Sequence, residues 1–253
     1  MLQHRVIPCL LLRNNGLVKT IKFKDPTYIG DPVNAIRIFN DKEVDELIVL
    51  DIDASKAGRG PNFDLIEQFA GECFMPLCYG GGVSSIEQAR RLFSLGIEKV
   101  CLQTSALDNA QLIRQIADEY GSQAVVVSVD VKKNLFGRYQ LFSANTGKAH
   151  KYQWQEFLAI AVESGAGEIM LTAVDRDGTL SGMDEGLIHV AAESCSVPII
   201  AAGGASSLDD LRSAVKAGAS AVAAGAMFVF HGPHRAVLIT YPKYEDLISC
   251  LDV

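Results

Sequence analysis

The sequence predicts one closed (β/α)₈ barrel, on three observations. A strand–turn–helix unit recurs along the whole chain, one half of the chain repeats the other at a fixed offset, and glycine runs stand directly after strands. Parallel strands covered by helices read as nearly continuous hydrophobic runs, and such units joined without a linker close into a barrel. At 253 residues the chain is long enough for one such barrel or for two smaller domains. The missing linker favours a single domain over residues 1–253.

In chain order, apolar runs rich in Val, Ile and Leu occupy 5–10, 46–51, 76–80, 99–103, 124–130, 168–172, 198–202 and 219–223. The first is followed by a long basic loop (Lys19, Lys22, Lys24) suited to folding over an anionic ligand. Asp31-Pro32 then supplies a capping acceptor and a first-turn proline for a helix. Amphipathic stretches with apolar residues three and four apart cover 85–95, 109–120, 155–164 and 208–217. After the last strand, 228–242 is extended and aliphatic, and His231 and His234 flank Gly232-Pro233. A turn with two exposed histidines is expected there, with ligand contact at the mouth as the alternative.

The run Pro76-Leu-Cys-Tyr-Gly-Gly-Gly-Val-Ser-Ser matches Pro198-Ile-Ile-Ala-Ala-Gly-Gly-Ala-Ser-Ser at an offset of 122 residues. The same offset pairs Glu46 with Glu168, Asp53 with Asp175, Gly96 with Gly218 and Val100 with Val222. One register kept through so many turns marks a duplicated half-barrel, 1–123 and 124–253. Chemistry in such a barrel sits on the loops that follow the strands. Glycines there let backbone N–H groups close on a phosphate, and a helix start beyond each run favours an anion. Two symmetric sites follow, Gly82 with Thr104, and Gly204 with Gly225 and Ala226. The bland reading is that these glycines only make tight turns. Two phosphate sites across one mouth imply an elongated, bis-phosphorylated small molecule.

A formal net charge of −7 argues against nucleic-acid and anionic-membrane partners. No apolar run approaches a membrane span, and the first residues are too short and polar for a secretory signal. The six cysteines have no paired spacing and read as reduced core thiols of a cytoplasmic protein. No metal and no cofactor are expected, because histidines and carboxylates lack ligand spacing.

Several motifs together resemble one family. They are Arg5-Val-Ile-Pro-Cys-Leu, the Lys19 loop, Gly30-Asp-Pro, Glu46-Leu, Leu50-Asp-Ile, Gly80-Gly-Gly-Val, the run from Gly121 to Asp130, Gly165-Ala-Gly-Glu and Asp175-Arg-Asp-Gly-Thr-Leu-Ser-Gly. Over roughly residues 1–228 the chain is similar to the cyclase subunit of imidazole glycerol phosphate synthase, the HisF family. The resemblance implies a lyase that uses ammonia from a partner glutaminase to cleave and cyclise a bis-phosphorylated ribonucleotide. It implies phosphate contacts at Gly82, Thr104, Asp177, Gly178, Gly204, Gly225 and Ala226. It also implies two catalytic aspartates at the ends of the first and fifth strands. Asp130 is the fifth-strand member, but the first-strand position holds Leu11. A leucine cannot transfer protons, and one general acid–base group contributes about 10²–10⁴ in rate. Lys19, Asp51 or a water would have to take over its role in a working cyclase.

At the opposite face, Arg5, Glu46, Lys99 and Glu168 stand at strand starts, where the family has a salt-bridged gate admitting ammonia from a docked glutaminase, in a heterodimer. The bland reading is mutual neutralisation at the stability face. A chain with gate, phosphate sites and Asp130 but without the first aspartate resembles HisF-like paralogues associated with surface-polysaccharide synthesis. There the barrel supplies ammonia to a third protein that amidinates a sugar. Pro8-Cys-Leu-Leu-Leu12 and His231-Gly-Pro-His234 resemble that branch. Three functions are thus weighed: an ammonia-supplying paralogue, a genuine histidine-pathway cyclase, and a non-catalytic phosphate-ligand scaffold that activates the glutaminase.

Overall fold

The computed structural model describes residues 4–251, so residues 1–3 and 252–253, the extreme ends of the expected domain, lie outside it. The chain opens with β1 (Arg5–Arg13), then the antiparallel hairpin β2 (Gly16–Ile21) and β3 (Lys24–Gly30), then α1 (Pro32–Asp41). Asp31 caps α1 by accepting from the Asn34 N–H at 2.9 Å, as its sequence predicts. Next come β4 (Leu47–Asp51), α2 (Phe63–Ala70), β5 (Leu77–Gly80), α3 (Ile86–Ser94), β6 (Lys99–Leu102), α4 (Thr104–Asp108) and α5 (Gln111–Tyr120). The second half holds β7 (Val125–Lys133), a hairpin of β8 (Tyr139–Ser143) and β9 (Lys148–Ala149), α6 (Trp154–Glu163), β10 (Glu168–Ala173) and α7 (Glu185–Ser194). It ends with β11 (Ile199–Ala202), α8 (Leu208–Lys216), β12 (Ala221–Ala224), α9 (Ala226–Val229), the small hairpin β13 (Phe230–His231) with β14 (Ala236–Val237), and α10 (Tyr244–Leu251).

Eight of these strands run parallel in the order β1-β4-β5-β6-β7-β10-β11-β12, and β12 pairs back onto β1 with Arg5 against Ala221, closing the barrel. β7 is four strands from β1 either way round, so the two face each other. Between strands and helices lies the main apolar layer, which includes Val6, Leu10, Phe39, Val49, Leu92, Val127 and Phe157. A second, smaller core of Ile7, Ile48, Cys78, Cys101, Val126, Met170, Ile200, Ala221 and Ala223 fills the lumen.

The two-residue period of a strand sorts side chains between these cores. Along β1, Ile7 belongs to the lumen and Val6, Leu10 and Leu12 to the outer layer. Arg5, Ile7, Cys9 and Leu11 therefore form one inward row. The row of Lys99, Cys101 and Gln103, and that of Glu168, Met170 and Thr172, likewise join the strand starts to the mouth. Six residues at ~3.3 Å each separate the two ends of the β1 row by roughly 20 Å.

Candidate functional site

The mouth is a cavity of about 1290 Å³ including its open side, and strand ends and the loops after them line it. The β7 row brings Asp130 to its floor. Ser128 Oγ donates to one carboxylate oxygen at 3.0 Å, and Gln103 Nε2 donates to the other at 2.5 Å. Burial raises the Asp130 pKa to about 6, outweighing these bonds and one from Thr172. A carboxyl poised near neutrality in a cleft is suited to proton transfer. Gln103 also accepts from the Ala144 N–H at 3.1 Å and so ties Asp130 to the β8–β9 hairpin.

Leu11 lines the same cavity, paired in register with Val18 and Leu50. Besides Asp130, two carboxylates line the cavity, and both are engaged. Asp51 accepts from Arg59 at 2.8 Å and from the N–H groups of Asp53 and Ala54 at 3.1 Å. Asp177 holds the Lys19 ammonium at 2.9 and 3.1 Å. Asp130 is thus the one carboxylate of the cavity lining, among the described residues, that no cation holds.

The segment expected to be a long loop is the ordered β2–β3 hairpin, because its ladder and the Asp177 loop satisfy its backbone groups. Lys19, on β2, is buried, the Lys22 N–H donates to the Asp177 carbonyl at 2.9 Å, and Lys24 is exposed. A Cβ on Gly178 (φ +71°) would stand 2.1 Å from the Thr20 carbonyl, so this loop and the hairpin touch through bare backbone. Thr20, which no sequence motif marks, lines the cavity with a buried hydroxyl that has no partner among the described residues. Such a group is costly unless a ligand or water meets it. Arg59, held by Asp51 near the mouth, was likewise unread, since its loop carries no motif.

The glycines obey the 122-residue offset in space. A Cβ on Gly81 would stand 2.4 Å from the Asp51 carbonyl, and one on Gly203 2.6 Å from that of Ala173. On Gly82 it would meet the Arg59 carbonyl at 2.6 Å, and on Gly204 the Gly182 carbonyl at 2.1 Å. Loop-to-loop packing thus requires these glycines whatever binds beside them. The serine–helix starts beyond them differ from the expectation. Gln88 accepts from the Ser84 N–H at 2.7 Å, and the Asp210 carboxylate accepts from Ser206 N at 2.8 Å and Ser207 N at 3.1 Å. An acidic side chain already occupies the anion position at α8. By contrast, α4, beginning at Thr104, and α9, beginning at Ala226 after Gly225, have no side-chain cap and open on the cavity. Thr104 is thus the first residue of a helix.

At the other end, Arg5 bonds both Glu46 and Glu168, while Lys99 reaches Glu46 at 2.8 Å and Glu168 at 2.9 Å. The four form one closed, alternating ring. Burial lowers the Lys99 pKa, but the two carboxylates outweigh it and hold the ammonium above its usual value. His231 ends β13 and His234 lies in the turn before β14, both exposed and outside the cavity lining. Arg235 of that turn donates to the Gly178 carbonyl at 2.9 Å.

Among the described residues no helix is long and apolar enough to cross a membrane, and no cluster of three His, Cys, Asp or Glu has metal-holding geometry. The model of a family described as histidine biosynthesis protein matches residues 5–234. A Pseudomonas aeruginosa protein provisionally named imidazole glycerol phosphate synthase subunit hisF2 is 54% identical over 98% of this chain and 99% of its own length. One from Leptospira borgpetersenii, provisionally named subunit HisF of the same synthase, is 48% identical over 97% and 98%. Imidazole glycerol phosphate synthase subunit HisF of Dictyoglomus thermophilum is 39% identical over 91% of each chain.

Proposed function

The chain belongs to the histidine biosynthesis protein family, as a HisF-like barrel of the imidazole glycerol phosphate synthase type, and on that premise we propose that it supplies ammonia to an acceptor other than the histidine precursor. A glutaminase docks on the strand-start face and releases ammonia against the ring of Arg5, Glu46, Lys99 and Glu168. The ring opens, and the neutral molecule passes along the apolar lumen, beside its smaller side chains Cys78, Cys101, Ala221 and Ala223. Water would protonate ammonia and remove its nucleophilic lone pair, so an enclosed path preserves its reactivity.

At the mouth, the uncapped starts of α4 and α9, with Gly82, Thr104, Gly204, Gly225 and Ala226, hold the two phosphates of one elongated ligand. Asp177 acts through Lys19, because a carboxylate repels phosphate while the ammonium it orients attracts it. Gly178 contributes backbone at the same rim. Asp130 is the surviving acid–base group.

Leu11 carries the reading. With Asp51 and Asp177 both held by cations, the mouth has one free carboxylate for a cyclisation that uses two. A third protein, which transfers the ammonia to a sugar, completes the system. The higher identity to the protein named hisF2 than to the Dictyoglomus HisF supports a paralogue.

The test is ammonium-dependent turnover of the cyclase substrate by the purified chain beside its Leu11→Asp variant. A silent wild type is expected, with activity gained in Leu11→Asp. Turnover by wild type at a rate ordinary for enzymes makes the chain a histidine-pathway cyclase. Ligand binding that stimulates the glutaminase while no ammonia leaves the barrel makes it a scaffold.

A further inference from the structure

The excursion from β7 through β9 is not needed to close the barrel, and it has a character of its own. Leu135 and Phe136, at its tip, are 102% and 87% exposed. Between residues 131 and 153 stand Lys132, Lys133, Arg138, Lys148 and Lys151 with no acidic residue, so the rest of the chain carries −12 of the net −7. We propose that this hairpin is a docking element for an anionic lipid surface, with Leu135 and Phe136 entering the bilayer interface and the surrounding cations meeting the headgroups.

The tip is built in advance. Asn134 Oδ1 accepts from the N–H groups of Phe136 at 2.9 Å and Arg138 at 3.0 Å. The Asn134 N–H donates to the Arg138 carbonyl at 2.9 Å, and Gly137 takes φ +76° to close the turn. Two neighbouring apolar side chains are therefore presented outward with little ordering cost on binding. The base is braced: Lys133 pairs with Asp184 at 3.0 Å, Lys132 lies over the Phe142 ring, and Phe23 of the β2–β3 hairpin meets that ring edge-on. Arg138 stays exposed in the tip turn, and Lys148 on β9 and Lys151 just beyond it are exposed on the outer strand of the excursion.

A convex apolar tip on an excursion of net positive charge fits a fluid surface, which needs no matching pocket, and interfacial binding combines apolar insertion with attraction to anionic lipid. The net charge of −7 weighs against an anionic surface only as an average over the whole chain. Charges more than about 8 Å away are largely screened at physiological salt, so the local field of the hairpin decides.

Co-sedimentation tests it, with vesicles of phosphatidylcholine containing about 30% phosphatidylglycerol against phosphatidylcholine alone. The full chain should bind the anionic vesicles at least about tenfold better, and added salt should weaken that binding. Leu135→Ser/Phe136→Ser and Arg138→Glu/Lys151→Glu should each weaken it about tenfold, without change in Tm since these side chains are exposed. Phe136→Trp should shift its emission to the blue on anionic vesicles, against the fixed signal of buried Trp154. No preference for anionic vesicles, full binding by the tip variant, or an unshifted Phe136→Trp overturns the proposal. So does a chain that ignores vesicles while its tip variant loses ammonia delivery in the reconstituted system, which makes the tip a protein-docking knob.

Discussion

Leu11 and Asp130 stand on inward rows of facing strands, and their difference in chemistry shapes the mouth. Asp130 is held where ionisation is costly. Its pKa of about 6 lies above the ordinary 3.8, so the folded state binds the proton more tightly than the unfolded state. Stability therefore falls as pH rises from about 4 to about 6 and stays lowered above that. Asp130→Asn should raise stability at pH 7 by up to about 3 kcal/mol, with the gain vanishing near pH 4. Melting temperatures of both proteins across that range check it; a gain independent of pH would mean the carboxylate is not the cause. The unpartnered Thr20 hydroxyl is a second strained feature of the same cavity, and such features gather at functional sites.

Short elements set the two ends of the lumen. The ring joins β1, β6 and β10 with the residue preceding β4, and removing one of its cations leaves two carboxylates sharing the other. Lys99→Met should cost about 2–3 kcal/mol in denaturant unfolding, at the low end for buried pairs because Arg5 is partly solvated. Lys99 titrates above its ordinary 10.5, so its contribution is complete below that pH and is lost as pH rises through the raised value. The same variant should change glutamine-dependent transfer in the reconstituted complex while leaving ammonium-dependent reaction intact. Equal loss of both would make the ring purely structural. At the mouth, Gly204→Ala forces a Cβ to 2.1 Å from the Gly182 carbonyl at φ +109°. It should destabilise by about 3 kcal/mol even without ligand; an unchanged unfolding midpoint would show that the loops part readily.

Across the whole molecule, duplication places two glycine-lined corners on one rim, and a single ligand bridging both gains from linkage. A sugar bis-phosphate at millimolar concentration should raise the Tm several-fold more than the same concentration of inorganic phosphate. Equal shifts would mean that the corners bind independently. The sequence already contained much of this. Continuous apolar runs declared parallel strands, and the 122-residue offset declared both the repeat and the paired glycines, because local hydrophobicity and tight turns are written in adjacent residues. Tertiary structure alone decided which partner each charge takes. Lys19 could be read as a mobile basic group, but burial on β2 gives it to Asp177; Ser206 could be read as an anion site, but Asp210 already fills it. It also raised Leu135 and Phe136 on an exposed turn, although the cations around them in the chain, which a net charge of −7 conceals, are already adjacent in the sequence. Strand and helix follow from neighbours in sequence, whereas ion pairs, orphaned hydroxyls and local fields depend on distances between residues far apart in the chain.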